Sequence, residues 1–435
     1  MKVLLVSTYE LGRQPFGLAS PAAWLAARGA QVWCNDVAVE PFDEGAAASA
    51  DLVCFHVPMH TATRLAAPLI RRVRALNPDA RVCCYGLYAP VNERYLRSLG
   101  ADVILGGEFE EGISGLLREP AEKPHPVISL ARQRFVRPDR SSLPSLEHYA
   151  RVRIKDQEVV TGYTEGSRGC KHLCRHCPIV PVYNGTFRVV QRDVVLSDIE
   201  QQVAKGAGHI TFGDPDFFNA PGHAEAIVTE LHNRWPDLTY DVTIKVEHLL
   251  KHRSRVETLA GTGCLFVTSA VESVDDRVLE LLDKGHTRSD FISAVALLDQ
   301  LDLILNPTFV AFTPWTSMAS YRDLLEVVCD LGLIDNVSPV QLTIRLLIVR
   351  GSRLLELPEI RDLVEPFDDQ RLVYPWKHPD SEVDALCGQV QALIGETNAD
   401  RRTLFPRVCA LAGARFEHEP RSAITVPYLT EPWYC

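Results

Sequence analysis

Residues 166–178 read GSRGCKHLCRHCP and place Cys170, Cys174 and Cys177 in a CxxxCxxC spacing. A loop of this length can direct all three sulfurs around one metal centre, and iron–sulfur clusters are held by such thiolates. Three cysteines leave one iron of a [4Fe–4S] cluster open to a non-protein ligand. A structural zinc site needs a fourth ligand, which the two histidines between these cysteines could supply. The spacing therefore favours a cluster, with zinc as the alternative.

The chain on the carboxyl side of this segment alternates β-type runs with helical stretches of about 12–15 residues, the pattern of βα units. The six runs predicted to be strands are 161–164, 210–213, 240–244, 266–270, 304–311 and 340–346. Six such units predict a partial TIM-like barrel. Its functional site is expected at the carboxyl ends of the strands, where the cysteines and several acidic side chains follow.

A CxxxCxxC triplet directly after a strand resembles the signature of the radical S-adenosylmethionine (SAM) superfamily. His176 stands where that family usually has an aromatic residue. Later segments resemble successive elements of the same barrel: 209–217 (HITFGDPDF), 269–273 (SAVES) with 284–287 (KGHT), 306–310 (NPTFV) with 313–316 (TPWT), and 341–345 (QLTIR). Each segment alone is weak evidence for the resemblance, but their order and spacing over residues 160–350 make it specific.

The resemblance implies that the three cysteines hold a [4Fe–4S] cluster whose open iron is chelated by SAM. One electron then cleaves SAM and yields a 5′-deoxyadenosyl radical, which abstracts hydrogen from an unactivated position. The resemblance implies that Gly213, Asp214 and Asp216 bind the SAM amino group, Glu272 and Ser273 its ribose and Arg345 its carboxylate, with His176 as a further cofactor-binding residue. The residues alone leave helix capping open for the three carboxylates and a structural ion pair open for Arg345.

The N-terminal residues 1–118 also alternate strands and helices, which predicts a doubly wound parallel sheet of Rossmann type. The predicted fold class is therefore α/β, with this sheet followed by a partial (β/α)6 barrel and a small C-terminal region. Ligands of such sheets bind at the carboxyl ends of the strands. The candidates at those ends are Thr8, Tyr9, Gly106, Gly107 and Glu108. No GxGxxG follows the first strand, so a dinucleotide is not favoured.

This N-terminal sheet resembles the cobalamin-binding domain found upstream of many radical SAM barrels. The Asp-x-His-x-x-Gly motif that supplies a lower cobalt ligand is absent, as in many of those relatives. The resemblance implies cobalamin as a further cofactor, with a substrate-gating domain as the alternative. With cobalamin the expected reaction is methyl transfer to carbon or phosphorus. Without it, a rearrangement or the transfer of another SAM-derived group is expected.

The composition of the chain indicates which classes of binding partner to expect. Acidic residues outnumber basic ones, 56 to 45, and the net charge of −11 argues against a general nucleic-acid binder. No apolar run reaches the roughly 18–20 residues of a membrane span, and the N-terminus has no secretory pattern, so we expect a cytoplasmic protein. Expected partners are an unidentified small-molecule or peptide substrate and an external electron donor of flavodoxin or ferredoxin type. The competing class is a non-catalytic iron–sulfur or zinc protein for electron transfer or sensing.

The chain is predicted to divide into 1–118 (cobalamin-binding-like domain), 119–160 (Pro- and Arg-rich linker), 161–350 (radical SAM barrel) and 351–435 (C-terminal region). The last residue, Cys435, follows Trp433 and Tyr434, where the simplest interpretation is a frayed end. The whole chain resembles CUAEP/CCAEP-tail radical SAM proteins, whose tails carry a Cys followed by Cys or selenocysteine and then Ala-Glu-Pro. We therefore hypothesise that a selenocysteine UGA codon follows codon 435, which sequencing of the downstream gene tests.

Overall fold

The structure is a computed structural model that describes residues 1–118, 127–395, 401–416 and 426–430. Cys435 and the tail hypothesis attached to it lie outside the described residues. All eleven cysteines within the described ranges are free thiols. None of the helices in these ranges combines the length and the apolar character that a membrane crossing requires.

The described strands and helices alternate through most of the chain. The strands are β1 Lys2–Ser7, β2 Gln31–Asp36, β3 Leu52–His56, β4 Arg81–Tyr85, β5 Val103–Gly107, β6 Ile128–Ser129, β7 Arg151–Ile154, β8 Gln157–Thr164, β9 Ser167–Gly169, β10 Phe187–Val189, β11 His209–Phe212, β12 Thr239–Thr243, β13 Cys264–Glu272, β14 Ile304–Phe309 and β15 Tyr428–Leu429. The α-helices are α1 Phe16–Ala26, α2 Glu44–Ser49, α3 His60–Leu76, α4 Tyr88–Val91, α5 Glu93–Ser98, α6 Glu110–Gly115, α7 Val180–Tyr183, α8 Arg192–Val203, α9 Pro221–Arg234, α10 Val246–Lys251, α11 Arg253–Gly261, α12 Asp276–Leu281, α13 Arg288–Gln300, α14 Met318–Asp330, α15 Pro358–Leu363, α16 Ser381–Gly395 and α17 Arg401–Ala412.

The N-terminal sheet has the strand order β2-β1-β3-β4-β5-β6, with parallel pairing throughout. Along β1, Leu4 and Val6 enter a core shared with α3, whereas Val3 and Leu5 enter a core shared with α1. Because alternate side chains of a strand point to opposite faces, helices cover both faces. The predicted doubly wound sheet is confirmed. Its strand order reverses between β1 and β3, where the carboxyl ends form a crevice.

The second sheet is a curled half-barrel in the order β14-β13-β12-β11-β8-β7-β15. The five strands from β8 to β14 are parallel, and β7 and β15 extend the sheet with antiparallel pairs. A large core of apolar side chains fills the space between the sheet and its helices, and it draws on these strands and on helices α8–α11, α13, α14, α16 and α17. The predicted partial barrel is confirmed.

The sixth predicted strand, 340–346, is not a strand. Residues Pro339–Leu342 form a 3₁₀ turn, and only one parallel bridge, between Phe312 and Arg345, continues the sheet. Pro339 is the first residue of that turn, where its fixed φ and missing N–H suit a helical start rather than a ladder.

Part of the predicted linker is built into the barrel. Strand β7 lies within it and pairs with β8. The fully buried Arg140 donates two hydrogen bonds to the Asp198 carboxylate, at 2.7 and 2.9 Å, and a third to the carbonyl of Tyr163. This bidentate pair fixes the segment against α8 and β8. The domain boundaries remain predictions.

Candidate active site

The cysteine loop directly follows β9 and lies in the connection between the paired strands β9 and β10, at the carboxyl edge of the half-barrel. Cys170 and Cys174 are buried and Cys177 is partly exposed. Asn219 fastens the start of the loop, because its side chain accepts from the Lys171 N–H and donates to the carbonyl of Gly169, both at 3.2 Å. The loop is therefore held from the β11 side of the barrel, with its thiols gathered in one place.

The two histidines of the loop have other partners. His172 Nε2 lies 3.2 Å from His248 Nε2, and His176 Nε2 lies 3.0 Å from Glu272 Oε1. Burial raises the pKa of Cys177 to about 12, so this thiol stays protonated unless a cation displaces the proton. Three thiols with both nearby histidines engaged fit a three-cysteine cluster better than a four-ligand zinc site.

Gly169, immediately before Cys170, is a position that only glycine suits. Its φ is +75°, and an added Cβ would lie 2.3 Å from the Tyr183 ring and 2.6 Å from the carbonyl oxygen of Thr186. We predict that Gly169→Ala lowers the free energy of unfolding by about 2 kcal/mol or more and reduces cluster loading, because backbone strain and a backbone clash combine. Urea denaturation and iron content measure both effects.

The matched control is Gly222→Ala. Gly222 lies in α9, and an added Cβ there would meet nothing within 4 Å. Because alanine is the better helix former, this variant should be neutral or more stable by up to about 1 kcal/mol. Equal losses in both variants would contradict the prediction for Gly169.

Glu272 ends β13 in the left-handed region, with a φ of +68°, beside a bulge in the pairing with β14. Its carboxylate contacts His176 and lies 3.3 Å from Lys284 Nζ. Burial alone would raise the pKa of Glu272, but Lys284 and His176 outweigh it and hold the pKa at about 2. A second ammonium, Lys245 Nζ, lies 3.8 Å from Cys174 Sγ. Two lysines therefore face the thiols and the ionised Glu272.

The end of β11 carries the next predicted cofactor residues. Gly213 packs so tightly on Tyr163 that an added Cβ would lie 1.8 Å from its hydroxyl oxygen. The Asp214 carboxylate accepts from the Gly166 N–H at 2.8 Å and from the Ser167 hydroxyl at 2.5 Å, while burial raises its pKa to about 7. Asp216 Oδ1 accepts a hydrogen bond from a backbone N–H of the following helical turn, as expected for a helix-capping residue. Its other carboxylate oxygen, Oδ2, lies 2.6 Å from His248 Nδ1.

Two predicted SAM-binding residues, Ser273 and Arg345, have partners within the chain, and their role in SAM binding stays a prediction. The Ser273 hydroxyl accepts from the Asp275 N–H at 3.1 Å. Arg345 donates to Asp384 at 2.6 Å and stacks 3.7 Å above the Trp376 ring, so the ion-pair alternative describes its contacts. Both of these partners of its guanidinium lie in the C-terminal region.

Two cavities meet at the Gly213–Pro215 segment. The larger, about 1220 Å³, occupies the half-barrel and is lined by polar side chains from successive strands, among them Thr211, Asp241 and Asn306. Asn306 Oδ1 is buried and, within the described ranges, has no hydrogen-bond partner. The smaller, about 200 Å³, lies between the half-barrel and the carboxyl edge of the N-terminal sheet. Both cavities lie at positions where ligands of these folds bind.

Residues 164–312 match the family model of the radical SAM superfamily. This segment is similar to a radical SAM domain. Such a domain implies a [4Fe–4S] cluster and SAM, and the matched residues include the cysteine loop and strands β11 to β14. The prediction of a radical SAM barrel is confirmed, whereas the CUAEP/CCAEP-tail subfamily remains a prediction.

Sequence relatives are distant. A tRNA-2-methylthio-N(6)-dimethylallyladenosine synthase from Chloroherpeton thalassium is 24% identical over 165 residues, 35% of either chain. A protein of the same name from Legionella pneumophila (strain Corby) is 22% identical over 279 residues, which cover 60% of this chain and 59% of that one. The chain thus spans between one third and three fifths of the length of these relatives.

Structural similarity extends over both sheets. The cobalamin-dependent SAM radical enzyme OxsB, solved with aqua-cobalamin, has a TM-score of 0.71 and 14% identity, with 95% of this chain and 71% of that chain covered. The radical SAM methyltransferase TsrM from Kitasatospora setae, solved with cobalamin and a [4Fe–4S] cluster, has a TM-score of 0.59 and 17% identity, with 76% and 70% covered. These likenesses establish the shared fold of a doubly wound sheet followed by a radical SAM half-barrel.

Four of the N-terminal candidates, Thr8, Tyr9, Gly106 and Gly107, pack within the N-terminal sheet. The Thr8 hydroxyl donates to the carbonyl of Ala62 at 2.8 Å, and Tyr9 is buried. An added Cβ at Gly106 or Gly107 would lie 2.1 Å from Pro90 Cγ or 2.2 Å from the carbonyl oxygen of Ser129. The glycine pair therefore permits close approach of neighbouring chain segments.

Glu108 belongs to a buried ionic network that joins the N-terminal sheet to the radical SAM domain. Its partners are the Tyr183 hydroxyl, which donates at 3.0 Å, and Arg168, at 3.7 Å. Arg168 also pairs with Glu110 at 2.7 Å and Glu165 at 2.6 Å. Since Arg168 is two residues before Cys170, this network couples the sheet to the cysteine loop.

The two glutamates from the N-terminal domain have opposite pKa shifts. Burial raises the pKa of Glu108 from 4.5 to about 7. Burial also raises the pKa of Glu110, but Arg168 outweighs it and the pKa lies below the ordinary value. Protonation of Glu108 thus favours the folded state below pH 4.5, and that contribution is lost as pH rises to about 7. The contribution of Glu110 has the opposite sign and is lost as pH falls.

The wild type should lose roughly 3 kcal/mol of folding free energy between pH 4.5 and 7, as Glu108 ionises. We predict that Glu108→Gln removes this loss, because the neutral amide cannot ionise. Glu110→Gln, its matched counterpart, should instead destabilise the protein above pH 5, since Arg168 loses a partner. Urea midpoints at pH 5 and pH 8 separate the two. A Glu108→Gln variant with the wild-type difference between the two pH values would refute the assignment.

Sequence reasoning missed three polar residues beside the site, Lys245, Glu247 and His248. They follow β12, at the start of α10. The rule that ligand groups follow the carboxyl ends of barrel strands points to this KVEH segment, because 240–244 was already predicted as a strand. Arg168 had no comparable signal, since two of its three glutamate partners, Glu108 and Glu110, lie in the N-terminal domain, Glu110 being 58 residues away.

Proposed function

We propose that this protein is a radical SAM enzyme that cleaves SAM reductively at a [4Fe–4S] cluster held by Cys170, Cys174 and Cys177. The further proposal is that it transfers a methyl group, with cobalamin, to an unactivated atom of a small molecule. The observation that carries the first part is the arrangement of three free thiols in one loop. Ser167, three residues before Cys170, donates to Asp214, and Asp214 lines the half-barrel cavity of about 1220 Å³. A cavity of that size accommodates both SAM and a substrate.

The cluster supplies the electron for SAM cleavage, and cobalamin supplies a carrier for the methyl group. The chain's own residues bind and orient SAM and the substrate. Lys245 and Lys284 offset the negative charge of thiolates, and the Gly213–Asp216 segment lies where the SAM amino group is expected. Glu272 stays ionised and can accept from ribose hydroxyls, while the unpartnered Asn306 Oδ1 can accept from a ligand donor inside the half-barrel. The electron comes from an external flavodoxin or ferredoxin.

Support for cobalamin comes from the fold similarity to OxsB and TsrM and from the position of the smaller cavity. This cavity lies at the β1/β3 switch point and also borders Gly169 and Gly213. A corrin ring is larger than about 200 Å³, so binding requires the interface to open. His56 borders the cavity but its ring is paired with Glu10 and stacked on Tyr85, which fits binding without a histidine ligand.

We propose a small molecule rather than a nucleic acid as the substrate. The sequence relatives are named for tRNA modification, but a net charge of −11 opposes binding to a polyanion. The competing class, a non-catalytic iron–sulfur protein, does not account for the large half-barrel cavity that the Gly213–Pro215 segment lines.

The test is anaerobic cluster reconstitution followed by incubation with SAM and a strong reductant. The expected products are 5′-deoxyadenosine from cleavage and S-adenosylhomocysteine from methyl transfer. An absorbance spectrum after incubation with hydroxocobalamin and desalting reports cobalamin retention. No 5′-deoxyadenosine from a fully loaded cluster would overturn the enzyme proposal, and no retained cobalamin would overturn its methyl-transfer part.

A further inference from the structure

Three metal-ligating side chains converge beside the cysteine loop, and none of them is a cysteine. His172 comes from the loop, Asp216 from the segment after β11, and His248 from α10. One ligand atom from each lies within 4.8 Å of the others. Asp216 and His248 are fully buried, and His172 is about one-sixth exposed. Three separate elements thus present two imidazoles and one carboxylate to one point.

The distances suit a transition-metal ion. His172 Nε2 lies 3.2 Å from His248 Nε2 and 3.6 Å from Asp216 Oδ2. Ligand atoms bound at about 2.0–2.2 Å around one ion lie roughly 3.0–3.6 Å apart, which matches both separations. Without an ion, a proton must lie between the two facing Nε2 atoms. An ion that takes this place releases that proton and uses both lone pairs.

Charged side chains surround these ligands. Asp216 Oδ2 lies 2.6 Å from His248 Nδ1, so the ligands from the β11 segment and from α10 are in direct contact. Glu247 Oε2 lies 3.8 Å from His172 Nδ1. The ammonium of Lys245 is itself paired with Glu247 at 3.8 Å.

We propose that His172, Asp216 and His248 form a second metal site, separate from the three cysteines, that binds one first-row divalent ion such as zinc. Two histidines and one carboxylate are a common protein ligand set for zinc and for non-haem iron, with positions left for water or substrate. The ion joins the cysteine loop to β11 and α10. It therefore holds the loop in shape whether or not the cluster is present, and the proposal does not depend on the proposed function.

The first experiment uses the full chain with its cluster reconstituted. After incubation with zinc and desalting, elemental analysis should give four irons and one zinc per chain. In His248→Gln the zinc should fall at least about tenfold while the iron stays near four. The matched control is His232→Gln, on α9 outside the site, which should keep the zinc. No zinc in the wild type, zinc retained in His248→Gln, or equal loss in both variants would each overturn the proposal.

The second experiment separates the site from the cysteines. In the full chain with all three loop cysteines replaced by alanine, one equivalent of cobalt(II) should give weak d–d absorption without thiolate charge-transfer bands. Zinc should also raise the melting temperature of this variant, because the ion binds only the folded chain. Adding His248→Gln should abolish both signals. Cobalt(II) bands that survive this addition, or an unchanged melting temperature with zinc, would contradict the site.

Discussion

Replacing any one of Cys170, Cys174 and Cys177 by alanine is expected to abolish SAM cleavage, with at least about a 1,000-fold loss of 5′-deoxyadenosine formation. The loop supplies only three thiols, and both of its histidines are engaged with other side chains. Loss of one sulfur therefore leaves only two thiol ligands in the loop. Iron content after anaerobic reconstitution should fall well below four per chain, together with the cluster absorbance.

The matched control is Cys329→Ser. Cys329 lies on α14, outside the cysteine loop, and is partly exposed. This variant should keep four irons and wild-type activity. A loop variant that retains four irons and cleaves SAM would show that the cluster uses a ligand outside the triplet.

Arg168→Met is expected to cost about 3–5 kcal/mol of folding free energy at pH 8, because removing one partner leaves buried charges uncompensated. Arg168 pairs with Glu110 and Glu165 and lies 4.8 Å from the centre of the Phe109 ring. Methionine keeps much of the side-chain length but none of the charge. Urea denaturation measures the loss, which should shrink at pH 5 as the stranded carboxylates take up protons.

Arg72→Met is the control for arginine removal as such. Arg72 forms an exposed pair with Glu44 at 2.8 Å, and each side chain is about half exposed. Surface pairs contribute about 0–1 kcal/mol, so this variant should stay close to wild type. Similar losses in both variants would refute the view that burial gives Arg168 its importance. Cluster loading should fall only in Arg168→Met, since Arg168 precedes the cysteine loop.

Much of the fold could be predicted because it depends on local patterns. Apolar runs of strand length identified β1 and β3 to β5, and the alternation of runs with helices predicted both sheets. The sixth barrel strand was wrong because 340–346 has the same apolar pattern as a strand, while Pro339 starts a 3₁₀ turn instead. A pattern of apolar residues does not show the effect of a single proline at its edge.

The candidate site was predictable only in part. The carboxylates Asp214 and Glu272 do lie beside the cysteine loop, because carboxyl ends of parallel strands meet at one edge. Arg345 and Thr8 instead bind Asp384 and the Ala62 carbonyl. Those partners lie 39 and 54 residues away in the chain, so no local pattern indicates them.

The amino-acid sequence by itself determined the three-cysteine ligand set, the order of the two α/β parts and the acidic character of the chain. Each of these is a property of neighbouring residues or of composition. Only the tertiary structure decided that Arg168 joins three glutamates across the two sheets, and that His172, Asp216 and His248 meet at one point. Such groups form where separate elements pack together, and side-chain geometry and burial decide which charges and ligands face one another.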